Sequence, residues 1–86
     1  MVAAIVLINA VPAQLAHLGR ALADVEGVSA AYSVAGDEDF VAVVKVANHE
    51  ELAEVVTKRI AVLDGVTRLR TLIAFRSYGA EDERYF

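Results

Sequence analysis

The residues of this chain best suited to bind a small charged molecule form the run Gly36-Asp37-Glu38-Asp39, which lies between two apolar segments. Gly36 permits a positive φ, and an aspartate side chain can accept hydrogen bonds from nearby backbone N–H groups. The run therefore predicts a tight β-hairpin turn. Such a turn places carboxylates and free N–H groups at one end of a sheet, where they suit the ammonium and carboxylate groups of a small zwitterion.

The same run also has a purely structural interpretation. Glycine and aspartate are what a tight hairpin turn requires without any ligand, and Asp39 could simply accept hydrogen bonds from N–H groups of the turn. The residue types alone leave both interpretations open.

Other site chemistry has little support in the sequence. The serines Ser29, Ser33 and Ser77 have no evident histidine partner, so nucleophilic catalysis is not indicated. No spacing of His, Asp and Glu predicts a metal site, and no glycine-rich phosphate loop occurs. We therefore expect no catalytic residues, no metal and no cofactor.

Composition predicts a small domain that associates with copies of itself. The chain has 86 residues, of which 57% are hydrophobic, and a monomer of this size has little interior in which to bury them. A membrane is the other environment that would cover apolar surface. The longest uncharged stretch, residues 1–19, is interrupted by polar residues and a proline from Asn9 onward, so it does not predict a span. We expect an oligomer and no membrane contact.

Charge and cysteine content exclude further classes. The net charge is −4 and the sequence has no basic run, whereas direct nucleic-acid binding needs clustered Lys and Arg. Arg68 and Arg70 form the only basic pair of note, which we expect to discourage edge-to-edge aggregation or to pair with the acidic C-terminal residues. The absence of cysteine excludes disulfides and fits a cytoplasmic protein.

The hydrophobic pattern predicts six elements in one domain, residues 1–76, followed by a polar acidic tail, residues 77–86. They are strands at 2–9, 28–35, 40–47 and 66–75, a helix that begins near Pro12 and is ended by Gly27, and a helix from Asn48 to Gly65. Asn48 and Glu51 have the spacing of a capping box. The order β-α-β-β-α-β is that of an α+β, ferredoxin-like βαββαβ sandwich.

Right-handed crossovers would place both helices on one face of a four-stranded antiparallel sheet with spatial order 4-1-3-2. The third strand is apolar on both faces, because Val41 and Val43 alternate with Ala42 and Val44. Since helices cover only one face, we expect a homodimer packed through the other face of the sheet.

Several of these residues also resemble a known family. The hairpin Gly36-x-x-Asp39-Phe40, the apolar strand after it, the segment Leu63-Asp64-Gly65-Val66 and Thr71 are similar to the effector-binding (RAM) domain of the Lrp/AsnC transcription regulators. The similarity covers roughly residues 2–75. It implies a βαββαβ dimer packed through its sheets, often assembled further into rings of dimers, that binds an amino acid effector between dimers.

The resemblance also assigns ligand-binding residues, namely Gly36, Asp39 and Thr71, and we expect Asp37 to contribute as well. Gly36 would bring its backbone close to the effector, and Asp39 would face the α-ammonium group. Asp37 lies between these two matched positions. The hydroxyl group of Thr71 would donate or accept a hydrogen bond.

The chain departs from full-length family members, which carry an N-terminal helix-turn-helix domain, because it enters the first strand directly after Met1. We therefore expect a stand-alone module that does not bind DNA itself and acts as a sensor or as a partner of full-length regulators. Three alternatives stay open. They are a small dimeric ferredoxin-like enzyme of the monooxygenase or isomerase type, a purely structural assembly module, and an ACT-type amino-acid-binding domain. The last usually has a glycine-rich turn where this chain has Ala10-Val11-Pro12.

Overall fold

The computed structural model describes residues 1–79, and the elements follow the predicted order. The strands and helices are β1 (Val2–Ala10), α1 (Leu15–Ala23), β2 (Val28–Ser33), β3 (Phe40–Val46), α2 (His49–Glu54) and β4 (Val66–Ala74). A 3₁₀ turn, Pro12–Gln14, precedes α1, and a π-helix, Val55–Ile60, continues α2. Most of the predicted acidic tail, residues 80–86, lies outside the described residues.

The four strands form one antiparallel sheet in the order β2-β3-β1-β4. This is the predicted order, and it confirms the ferredoxin-like arrangement with the two apolar strands β1 and β3 at the centre. Within residues 1–79, no helix is long and apolar enough to cross a bilayer.

The hydrophobic core lies between the helices and one face of the sheet. Alternate residues of β1 and β3 point into it because side chains of a strand alternate between its two faces. Buried core residues come from both central strands and both helical segments: Ala4, Val6, Ile8, Leu18, Leu22, Phe40, Ala42, Val44, Val46, Leu52, Val55 and Ile60.

The second helix begins at the predicted cap. The side chain of Asn48 accepts a hydrogen bond from the backbone N–H of Glu51 at 2.8 Å. The carboxylate of Glu51 accepts one in return from the backbone N–H of Ala47 at 2.9 Å. Two N–H groups that the helix itself cannot pair are thereby satisfied.

The π-helical segment after α2 keeps two buried residues on the same face. Val55 and Ile60 are both fully buried although they are five residues apart. In an α-helix that spacing would separate them by about 140° around the axis. A π-helix pairs residues five apart, as the bond from the N–H of Ala61 to the carbonyl of Val56 shows (3.0 Å), so both side chains reach the core.

The other face of the sheet, which we call the open face, is apolar at its centre. Strand pairing places on it Ile5 and Leu7 from β1, Val41 and Val43 from β3, and Leu72 from β4. Because the helices pack on the opposite face, these side chains face outward, and Leu72 remains 49% exposed. The predicted alternation of β3 is therefore present in the structure.

Candidate functional site

The loop between β2 and β3, residues 34–39, is fixed to the end of β1 through Asp39. The backbone N–H of Asp39 donates to the carbonyl of Ile8 at 2.9 Å. The carboxylate of Asp39 accepts a hydrogen bond from the backbone N–H of Ala10 at 2.8 Å. Asp39 also closes the loop, because its carbonyl accepts from the N–H of Val34 at 3.0 Å. The carboxylate of Asp39 thus accepts from Ala10 the hydrogen bond that a backbone carbonyl would accept if the β-ladder continued by a further residue.

Two longer-range contacts hold the tip of the same loop. The side-chain amide of Asn9 donates to the carbonyl of Asp37 at 2.7 Å. The guanidinium group of Arg70, from the edge strand β4, lies 3.5 Å from the carboxylate of Glu38. The Arg70 side chain is 61% exposed, so solvent screens this ion pair and its contribution to stability is at most about 1 kcal/mol.

A β-bulge lies next to the loop. Asn9 pairs with Arg68, whereas Ala10 pairs with Val66, so Thr67 has no partner of its own in β1. A bulge of this kind bends the strand and redirects its side chains, and bulges are frequent beside active sites. Thr67 therefore turns towards the same corner of the sheet as Asn9 and Arg68.

The loop, the end of β1 and the bulged strand enclose a cleft of about 430 Å³ at the open face, which we call the charged cleft. It is lined by Asn9, Asp37, Glu38, Thr67, Arg68 and Arg70. Its size is in the range of small-molecule sites. Arg68 and Arg70 of β4 and Asp37 and Glu38 of the loop bring both signs of charge to this lining, which complements a molecule carrying both charges.

A second cleft, of about 370 Å³, lies on the other side of the loop, and we call it the helix-side cleft. It is lined by Leu15, Ala16, Gly19, Ser33, Val34, Asp39 and Phe40. Among these residues Asp39 is the only ionisable one. This cleft combines one carboxylate with an apolar wall from α1, which suits an ammonium group attached to an apolar side chain.

The four predicted ligand-binding residues do not form one cluster. Gly36 lies in the exposed loop with φ +145°, and a Cβ added there would have no atom within 4 Å. Asp37 lines the charged cleft and Asp39 lines the helix-side cleft. Thr71 pairs with Val6 of β1, on the face that the helices cover, and it lines neither cleft.

The sequence interpretation missed the contacts that fix the loop. Asn9 is the one polar residue of an otherwise apolar predicted strand, and it lies at the end of that strand. This position was the sequence signal that could have indicated its hydrogen bond to Asp37. Arg68 and Arg70 do share one face of an edge strand, as predicted. The carboxylate that Arg70 meets belongs to Glu38 of the loop, while all the acidic residues of the tail lie outside the described residues. Among residues 1–79, no group of three or more His, Cys, Asp or Glu residues is arranged to hold a metal ion.

Comparison with known proteins gives a consistent family match. A model of the Lrp/AsnC ligand binding domain matches residues 3–83. The crystal structure of TTHA0845 from Thermus thermophilus is similar, with 44% sequence identity over 92% of this chain and 99% of its own and a TM-score of 0.87. A search of curated proteins found no match.

Two longer regulators from Mycobacterium tuberculosis are also similar. The leucine response regulatory protein LrpA is 32% identical over 92% of this chain and 53% of its own, with a TM-score of 0.76. A feast or famine regulatory protein complexed with L-methionine is 30% identical over 94% of this chain and 54% of its own, with a TM-score of 0.79. The chain thus spans about half the length of these two regulators.

Proposed function

Because the chain belongs to the Lrp/AsnC ligand-binding domain family, we propose that it binds a free amino acid as an effector at the loop of residues 34–39. Gly36 would bring its backbone close to the effector, and Asp39, or Asp37 on the other side of the loop, would supply the carboxylate for its α-ammonium group. Thr71 has only its family position in favour of a contact, since it lines neither cleft. The related regulator with bound L-methionine supports an amino acid as the class of ligand.

The observation that carries the proposal is the position of Asp39. Its carboxylate is held by the backbone N–H of Ala10, and the residue lines a cleft large enough for an amino acid. A carboxylate oriented by such a bond loses little rotamer freedom when it meets an ammonium group, which favours binding. The loop is also tied to two strands, so it presents a largely formed site rather than one that must order on binding.

We further propose that the chain acts as a homodimer packed through the open face, and as a ring of such dimers. The apolar centre of that face supports the dimer: Leu72, which is 49% exposed, pairs with Ile5, and Tyr32, which is 56% exposed, pairs with Val41. At about 25 cal/mol per Å², burying a few hundred Å² of this surface would contribute several kcal/mol before the entropic cost of association.

The role we propose is that of a non-enzymatic sensor in the cytoplasm, acting alone or by assembling with full-length regulators of the same family. Its net charge of −4 and the lack of a basic cluster support a role without DNA binding of its own. The similar leucine response regulatory protein and feast or famine regulatory protein are both named as regulatory proteins, which supports a regulatory role.

A thermal-unfolding screen against the common amino acids at millimolar concentration tests the proposal. A ligand that binds only the folded state stabilises it by about 2.7 kcal/mol at 100 times its dissociation constant, which gives a clear rise in Tm. We expect a rise with one or a few amino acids and a smaller rise in Asp39→Asn. No rise with any amino acid at concentrations up to solubility would contradict the proposal and leave an assembly module as the better account.

A further inference from the structure

We propose that the effector extends from the loop into the charged cleft, and that the cleft selects an amino acid whose side chain ends in a carboxylate or a carboxamide. This inference rests on the proposed function and adds the class of effector and the residues that select it. The selecting residues are Asn9, Thr67 and Arg68, none of which was singled out as a ligand contact by the family resemblance.

The first argument is the chemistry of the lining. None of the six described residues that line the charged cleft is apolar. An aliphatic side chain placed there would bury little apolar surface and would separate charged groups from water, which is unfavourable. A carboxylate or carboxamide would instead find donors on Arg68, on Asn9 and on the hydroxyl of Thr67.

The second argument is the balance of charge. The cleft is lined by two arginines of β4 and two acidic residues of the loop, so a simple anion would be attracted by β4 and repelled by the loop. A zwitterion satisfies both walls, with its ammonium group towards Asp37 and its carboxylates towards Arg68 and Arg70. Guanidinium groups are suited to this because they bind carboxylates with two parallel hydrogen bonds.

The third argument is that the pair between Arg70 and Glu38 can be exchanged for a ligand. Its separation of 3.5 Å is longer than the 2.7–2.9 Å typical of a strong charge-assisted hydrogen bond, and the Arg70 side chain is largely exposed. Little stability is lost when such a pair opens. A ligand carboxylate could therefore replace Glu38 as the partner of Arg70 without unfolding the loop.

The fourth argument comes from the backbone and does not depend on charge. Thr67 lines the charged cleft, and it is the extra residue of the bulge, which has no pairing partner in β1. Asn9, from the facing strand, holds the loop at Asp37 and lines the same cleft. The bulge in β4 and the hydrogen bond that holds the loop therefore both lie at the charged cleft and shape its walls.

Titration calorimetry with purified protein tests the inference, using aspartate, asparagine, glutamate and glutamine against leucine, isoleucine, valine, methionine and phenylalanine. We expect binding of at least one polar amino acid, weakened about tenfold or more in Arg68→Gln, because a hydrogen bond to a charged group is lost. Arg76→Gln is the matched control, since Arg76 is also exposed but lies beyond the opposite end of β4. Leu15→Ala, in the helix-side cleft, reports whether the effector uses that cleft instead.

The outcomes separate this inference from the proposed function. Binding of aliphatic amino acids only, weakened by Leu15→Ala, would overturn the charged cleft as the effector site and keep the function. Binding of a polar amino acid that Arg68→Gln does not weaken would also overturn it. If no amino acid binds, both the inference and the proposed function fail. Circular dichroism of each variant checks that the exposed substitutions leave the fold intact.

Discussion

The carboxylate of Asp39 accepts a hydrogen bond from the backbone N–H of Ala10 at 2.8 Å. These residues are 29 positions apart in the chain, and the bond joins the root of the β2–β3 loop to the end of a central strand. Asp39 is therefore a structural residue whether or not it also meets an effector. Any mutational test of the site has to separate these two roles.

A pair of substitutions at Asp39 makes that separation. Asp39→Ala leaves the partly buried N–H of Ala10 without its acceptor and should lower the free energy of unfolding by about 1 kcal/mol. Asp39→Asn keeps an oxygen acceptor and should be nearly as stable as the wild type, while the charge that attracts an ammonium group is lost. Urea unfolding gives the stabilities and calorimetry the affinities. Equal affinity in Asp39→Asn and the wild type would show that the charge has no role in binding.

The cap of the second helix gives a prediction about stability alone. Asn48→Ala removes the acceptor for the N–H of Glu51 and should cost about 1 kcal/mol in urea unfolding. Asn48→Asp is the matched control, because a carboxylate caps equally well and also interacts favourably with the helix dipole. Since α2 is remote from the loop, amino-acid affinity should be the same in both variants once they are folded. A loss of affinity in folded Asn48→Ala would argue against this independence.

Two glycines with positive φ should differ in their tolerance of alanine. Gly27 has φ +102° and an added Cβ would lie 2.7 Å from a methyl group of Val55, whereas Gly36 has φ +145° and open space around it. Backbone strain of about 1 kcal/mol or more is expected at both positions. Gly27→Ala should be the more destabilising of the two, because it also displaces a buried side chain of the core. Equal losses in urea unfolding would mean that Val55 can move away without penalty.

The proposed dimer through the open face predicts a selective effect of charge. Leu72→Glu places a carboxylate on that face and should shift the protein towards monomer, because a buried unpaired charge is costly. Val62→Glu is the control, since Val62 is 66% exposed and lies outside the sheet. Sedimentation velocity at micromolar concentration measures the result. A monomeric wild type, or an equal response to the two substitutions, would refute the dimer through this face.

The fold followed from local patterns, but the details of the site did not. Alternation in β1 and β3, the Asn48 cap and the rule of right-handed crossovers were sufficient for element order and strand order. The π-helix was not predicted, although the five-residue spacing of Val55 and Ile60 within an apolar stripe was a usable signal. The spacing was overlooked because an α-helix is the usual continuation of such a pattern.

The geometry of the site depends on contacts between distant parts of the chain. Asn9 and Asp37 are 28 residues apart, and Arg70 and Glu38 are 32 apart, so neither contact follows from sequence spacing. The bulge at Thr67 depends on how β4 aligns with β1, which no local pattern specifies. The sequence identified the loop as a candidate site, while the division of its residues between two clefts required the three-dimensional arrangement.

The most direct test of the central claim is an amide TROSY titration of uniformly labelled protein with the amino acid that most raises Tm. If an effector binds at the loop, the largest and saturable shifts should fall on the amides of residues 34–39 and on those of Asn9 and Ala10, to which the loop is bonded. The amides of α2 should shift little. Saturable shifts centred on α2 or on the far ends of β1 and β4, with the loop unaffected, would contradict the assignment of the loop as the effector site.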